Sequence, residues 1–234
     1  MRVLERILMN KFLARARAMV TYYLPKMEKS VNVHKCMDYL QWISKGMPTP
    51  PAYCEFGVAN GYTMSSAYFI SRMYPGLRGM RFFGFDSFQG MPDSSLEKDG
   101  NPNWRAGDYA YSIGHAAREL RRAGMPEGGF TLVPGFFEQS LTPETATREG
   151  LANIGYVHID CDYYSSAKLA LDFVKPYLIE GAVLDFDDFH CYPSPEKGEA
   201  QALHEWIEEN PDLRVRHFSR YGGFGDSYTV SRAV

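Results

Sequence analysis

The stretch from Ile154 to His190 constrains the fold most. It reads I-G-Y-V-H-I-D-C-D, then a segment of helical character, then G-A-V-L-D-F-D-D-F-H. Two apolar runs of strand length each end in carboxylates, Asp160 and Asp162 after the first, Asp187 and Asp188 after the second. Such runs suit strands buried on both faces. Between them Ala167, Leu169, Ala170, Leu171, Phe173, Val174 and Leu178 give a helix an apolar stripe to lay on a sheet. Strand, helix, strand is a right-handed parallel crossover, so both strands point the same way and their acids meet at one sheet edge. Open α/β folds bind their ligands at that edge.

The rest of the chain extends this unit. Ala52 to Val58 reads as the first core strand, followed by a glycine-punctuated turn, E-F-G-V-A-N-G, and a helix from Tyr62 to Met73. Glycines at a strand-to-helix turn let a ligand approach the backbone. The turn is neither a G-x-G-x-x-G nor a G-x-x-x-x-G-K-[ST], which counts against dinucleotide and nucleoside-triphosphate binding. Arg81 to Phe85 is the second strand and ends in Asp86, where an acid commonly receives ribose hydroxyls. Gln89 to Tyr111 is rich in Gly, Pro, Asp, Asn and Ser. A loop this long in a compact domain is expected to cover substrate. A helix (Ser112 to Ala123, with His115 near its start), a strand (Phe130 to Phe137), a helix (Gly198 to Glu209) and two closing strands joined by Y-G-G-F-G complete the α/β core, residues 49–234. Residues 1–48 read as a helical extension, one helix at the start, an interruption at Pro25, and a second helix over Val33 to Ser44.

Composition excludes some classes. A net charge of −3 gives no electrostatic signature of nucleic-acid binding. The four cysteines, Cys36, Cys54, Cys161 and Cys191, lack metal-ligand spacing, and Cys54 and Cys161 read as core strand residues in a reduced, cytoplasmic setting. No apolar run approaches the roughly 20 residues a membrane span needs, and Arg6, Asn10 and Lys11 break up any signal-peptide core. The 16 Tyr and 15 Phe suit pocket walls, though most should be core.

Asp160, Asp187 and Asp188 are hard oxygen ligands suited to Mg²⁺ or a similar divalent ion; without a cation they would repel one another. Asp162 is a fourth acid that could also cap the following helix, and Asp185 reads as structural. A bound metal would lower the pKa of an acceptor hydroxyl and fix its oxygen for attack. Asp160 is then a candidate for the proton as well, with His115 and His190 as loop-borne alternatives.

Taken together, E-F-G-V-x-x-G, G-F-D-S-F-Q-G-M-P, H-I-D-C-D-Y-Y-S-S and D-F-D-D-F resemble the macrocin/mycinamicin O-methyltransferases over about residues 50–232. The resemblance implies a Rossmann-like class I methyltransferase fold, a mostly parallel seven-stranded sheet with helices on both faces. It also implies S-adenosylmethionine and Mg²⁺ as cofactors, a sugar hydroxyl of a natural product or glycan as acceptor, and a homodimer. It assigns Asp160, Asp187 and Asp188 to the metal; the step of 27 residues from Asp160 to Asp187 matches the family's. Glu55, Gly57 and Gly61 go to the cofactor loop and Asp86 to the ribose, with Val58, Ser87 and Gly135 as neighbouring cofactor contacts. Where the family often has D-x-Y-E-S, this chain has Asp162-Tyr163-Tyr164-Ser165-Ser166. The alternative is a metal-dependent glycosyltransferase in which Asp160-Cys161-Asp162 holds a nucleotide sugar through its metal.

Overall fold

The computed structural model describes residues 24–93, 97–100 and 104–233, so the expected helix near the start of the chain lies outside the described residues. Seven strands form one sheet in the order β3-β2-β1-β4-β5-β7-β6. They are β1 (Ala52–Phe56), β2 (Phe82–Asp86), β3 (Phe130–Pro134), β4 (Ile154–Ile159), β5 (Leu178–Phe186), β6 (Leu213–Tyr221) and β7 (Gly225–Arg232). The first five run parallel, and β7 pairs antiparallel with both β5 and β6. This is the seven-stranded sheet expected from the sequence. β1 and β4 are buried along their whole length. That explains their continuous apolar runs, since helices cover both faces of the sheet.

The helices are α1 (Leu24–Ile43), α2 (Tyr62–Ser71), α3 (Ile113–Arg122), the short α4 (Phe137–Ser140), α5 (Pro143–Glu149), α6 (Tyr164–Val174) and α7 (Gly198–Glu209). One apolar layer, with Phe56, Phe85, Phe173, Phe186 and Trp206 at its centre, lies under α6 and α7. Phe56 and Phe85 stack with centroids 5.0 Å apart. The opposite layer joins Tyr53, Tyr156 and Phe82 to Met37 and Leu40 of α1 and Met64 of α2. The described part of α1 already runs from Leu24, including Pro25 and the stretch up to Val33 that the sequence pattern places outside the second helix. α5 was missed, although Thr142 caps it from its side chain and Gly150 ends it in the left-handed conformation.

Gly57 shows why the β1 turn needs glycine. Its φ is +89°, and a Cβ there would lie 1.9 Å from the Asp160 carbonyl oxygen. The residue lets β1 and β4 stay in contact past their last paired positions. The Gly57 N–H donates to Phe85 and the Asp160 N–H to Phe56, carrying the ladder into the loops.

Candidate active site

At the carboxyl ends of β1, β2, β4 and β5 the loops enclose a cavity of about 470 Å³. Its floor brings together Glu55, Gly57 and Val58 from the first turn, Asp86 and Ser87 from the second, and Asp160, Asp162, Asp187 and Asp188 from the crossover unit. Tyr62, Trp104, Tyr109, Tyr111, Phe136 and Phe137 supply aromatic walls. Of the residues expected to touch the cofactor, Gly61 and Gly135 stand back from the lining. Gly61 is the left-handed N-cap of α2, and Gly135 lies against Ser140.

Asp86 already has partners. Oδ2 accepts from the Val58 and Ala59 amides at 2.8 Å each, and Oδ1 from the Phe88 amide at 2.6 Å. It shapes the glycine turn from across the sheet edge. Ala59, Phe88, Tyr109 and Asp162 all have positive φ, between 47° and 61°. Such strain in non-glycine residues concentrates at ligand sites. Glu55 is buried beside the Tyr53 hydroxyl, and burial pushes its carboxyl up to about 7.

The loop after Asp86 does cover the cavity, with Met91, Trp104, Asp108 and Tyr109 on its inner side. It closes on itself where the Met91 N–H donates to Asp108 and the Gly107 N–H to Met91. A side chain at Gly90 would meet the backbone of Gly107 and Asp108 at 2.6 Å. Asp99 accepts from the Ser165 amide and hydroxyl, and Trp104 packs edge-on against Tyr163 and Tyr192. The Tyr-Tyr-Ser-Ser segment thus anchors the covering loop.

The acids divide into two groups. Lys29 of α1 reaches over the sheet edge and places Nζ 2.8 Å from Asp160 Oδ2 and 2.9 Å from Asp187 Oδ2. Asp187 Oδ1 accepts from the Tyr221 hydroxyl at 3.3 Å. Behind them, buried His158 has Nδ1 2.9 Å from Asp185 and Nε2 3.5 Å from Asp160 Oδ2, too far for a hydrogen bond. Asp185, structural as expected, also accepts from Asn32 and Tyr156. Burial opposes ionisation of Lys29, but Asp160 and Asp187 overcome it and hold the ammonium well above its usual range. Burial likewise opposes the Asp160 carboxylate, and Lys29 and His158 reverse that, holding it well below the ordinary range. Asp187 shares the same ammonium, and there burial wins and raises its carboxyl.

Asp188, expected as the third metal ligand, belongs to the other group. Its amide donates to Glu199 Oε2 at 3.0 Å, and the charges of Asp162 and Glu199 bear on its carboxyl. Glu199, from the first turn of α7, is fully buried and also accepts from the Cys161 amide at 3.4 Å. Burial pushes Asp162 up to about 7 and raises Asp188 and Glu199 well above the carboxylate range, each worsened by the others' charge.

The two histidines named from the sequence lie away from the cavity lining. His115 stacks on Tyr111 at the start of α3. His190 pairs through Nε2 with Asp226 at 3.0 Å, on the hairpin side of the sheet, because Phe224 holds its backbone there. Cys161 sits in the loop beyond β4 instead of in the strand, and all four cysteines are free. Sequence reasoning missed Lys29, His158 and Glu199. His158 could have been found, since it precedes Asp160 by two and shares its strand face. Lys29 carries a weaker signal, one helical turn before Asn32 on the same face as Cys36.

A family model described as a methyltransferase domain matches residues 54–189, which span β1 through the second acidic pair. The chain belongs to that methyltransferase family. Among solved structures, it is similar to calicheamicin methyltransferase CalS11, with a TM-score of 0.70 at 20% identity over 94% of this chain and 85% of that one. An apo structure described as CalS11, TDP-rhamnose 3'-O-methyltransferase, aligns with a TM-score of 0.64 at 17% identity over 94% and 85%. The O-methyltransferase NovP aligns with a TM-score of 0.65 at 20% identity over 88% and 80%. No curated protein sequence matches the chain. The expected class I methyltransferase fold is borne out. The glycosyltransferase alternative finds no support, and Asp160 of that motif is engaged by Lys29. No described helix is long and apolar enough to cross a membrane.

Proposed function

We propose that this methyltransferase moves the methyl group of S-adenosylmethionine to a hydroxyl oxygen, on a sugar of a small natural product or glycan. One observation carries the reading: the glycine turn, Asp86 and the carboxylates of β4 and β5 line a single cavity under one aromatic-rich loop. The neighbours' printed descriptions as O-methyltransferases, one acting on TDP-rhamnose, support the acceptor class. In this reading Glu55, Gly57 and Val58 face the methionine part and Asp86 with Ser87 the ribose. The acid-lined floor suits a cationic sulfonium.

Methyl transfer is an in-line displacement. The S–CH₃ bond breaks as the O–CH₃ bond forms, sulfur keeps the bonding pair, and the hydroxyl proton leaves to the carboxylate cluster. The protein's contribution is mainly position and electrostatics. Asp160 accepts the hydroxyl's hydrogen bond and aims its oxygen. The aromatic walls exclude water and offer stacking faces to sugar rings.

Magnesium on Asp160, Asp187 and Asp188 would add Lewis-acid activation. The side chains as arranged do not fit it. The Lys29 ammonium lies on the oxygens of Asp160 and Asp187 that an ion would bridge. Among the described residues the donor group that assembles is His158, Asp160 and Asp187, without Asp188.

The test is binding by calorimetry followed by a mass-resolved acceptor screen. S-adenosylhomocysteine should bind one to one, nucleotide sugars without a methyl donor should not, and an accepted glycoside should gain one methyl group. Binding of a nucleotide sugar with no response to S-adenosylhomocysteine would refute the reading.

A further inference from the structure

We infer that Lys29 is the resident cation of the Asp160–Asp187 pair and keeps divalent metal out of this site. The ammonium contacts one oxygen of each carboxylate at 2.8 and 2.9 Å, and its side chain is only 14% exposed. A divalent ion bridging that pair must stand within about 2–2.6 Å of both oxygens, in the space the ammonium holds. Two cations cannot share it, because like charges at such distances repel strongly in a partly desolvated site.

The position of Lys29 is built into α1. One turn on, Asn32 Nδ2 donates to Asp185 at 2.9 Å and Asn32 Oδ1 accepts from the Ser227 hydroxyl at 3.4 Å. Val33, Cys36, Met37 and Leu40 continue that face into the core and are essentially without solvent contact. Residues 29, 32, 33, 36, 37 and 40 repeat at helical spacing, so the contacts that seat the helix also aim Lys29. His158, Asp160 and Asp187 have ligand atoms within 4.8 Å of one another. An imidazole with two carboxylates is a donor set for a first-row transition ion such as Mn²⁺. Lys29 suppresses that capacity. The inference rests on the same cavity as the methyl-transfer reading but not on the reaction.

The experiment is a Mn²⁺ titration of the full chain, followed by the loss of the free-ion electron paramagnetic resonance signal, with calorimetry of S-adenosylhomocysteine in parallel. Wild type should take up no stoichiometric Mn²⁺ below about 1 mM, the weak limit of dedicated cation sites. Lys29→Met should bind one ion at least about tenfold more tightly. Lys29→Arg, which keeps a cation there, should resemble wild type. Stoichiometric uptake by wild type as tight as by Lys29→Met overturns the inference. So does Lys29→Met that folds and takes none. Should Lys29→Met not fold, Lys29→Gln replaces it and is judged against wild type by the same outcomes. Failure of S-adenosylhomocysteine to bind would instead strike the functional reading and leave the Mn²⁺ result standing.

Discussion

Two groups of acids stand at the same sheet edge and are stabilised in different ways. Asp160 and Asp187 have a lysine brought from α1, more than a hundred residues earlier, with both ion-pair contacts under 3 Å. In the group of Asp162, Asp188 and Glu199, Glu199 accepts from the Cys161 and Asp188 amides, and the three bear on one another through their charges. The first group gains from ionisation at Asp160; the second is pushed toward its protonated form. Nearness in sequence thus says little about charge state. Asp187 and Asp188 are adjacent, yet the Asp187 carboxylate meets Lys29 while the Asp188 amide is held by Glu199.

The largest effect expected from breaking this contrast is at Lys29. Lys29→Met leaves two partly buried carboxylates facing each other. Removing one partner of a buried ion pair costs about 3–5 kcal/mol, and the residual exposure of the carboxylates places this case toward the lower end. Urea denaturation at pH 7.5 should show a loss of about 3 kcal/mol, with Lys29→Arg recovering more than half. A loss below about 0.5 kcal/mol would mean that the pair is worth no more than a surface contact.

How much of this was legible beforehand differs between the fold and the site. The crossover unit with its acids at one sheet edge and the helix at Gly198–Glu209 were visible because buried parallel strands and amphipathic helices write their periods into the chain. Gly57 was flagged for cofactor approach, and the structure adds a second cause, the carbonyl of Asp160. Which acid faces which partner was not legible. Side-chain direction at a strand end depends on loop φ angles such as +61° at Asp162. The lysine that answers Asp160 stands 131 positions away. No local pattern encodes that pairing; only the docking of α1 on the sheet creates it.

Asp188→Asn should act with the opposite sign. In the second group the folded pKa values are raised, Asp162 to about 7 and the others further. Stability from these groups is fully present below their unfolded values near 4 and is lost as pH rises through the folded ones. Wild type should therefore weaken from about pH 4 toward and beyond pH 7. Asp160 gives the reverse limb, since its depressed pKa contributes stability above about pH 4 that is lost in acid. Asp188→Asn removes one of the repelling acids and should flatten the alkaline decline, gaining on the order of 1 kcal/mol at pH 8 and little at pH 4. Denaturation midpoints measured from pH 4 to 9 test this. An unchanged slope would mean that the cluster is already ionised without penalty, as with a bound cation.

The smallest effect is expected at a further acid near this end of the sheet, Asp226, which pairs on the hairpin side. It is almost fully buried and answered by His217 at 2.6 Å, His190 at 3.0 Å and the Tyr228 hydroxyl at 3.3 Å. Because its partners are redundant, losing one should cost little. His190→Gln retains a hydrogen-bond donor and removes only the imidazole, one-third exposed in the fold. Exposed or half-exposed pairs of this kind are worth about 0–1 kcal/mol. The affinity for S-adenosylhomocysteine should stay within about twofold, a change of less than half a kcal/mol by the usual conversion. Asp160→Asn should instead disturb the cavity floor that Lys29 holds. A tenfold loss of affinity in His190→Gln would return that histidine to the site and place the hairpin acid in one network with the crossover acids.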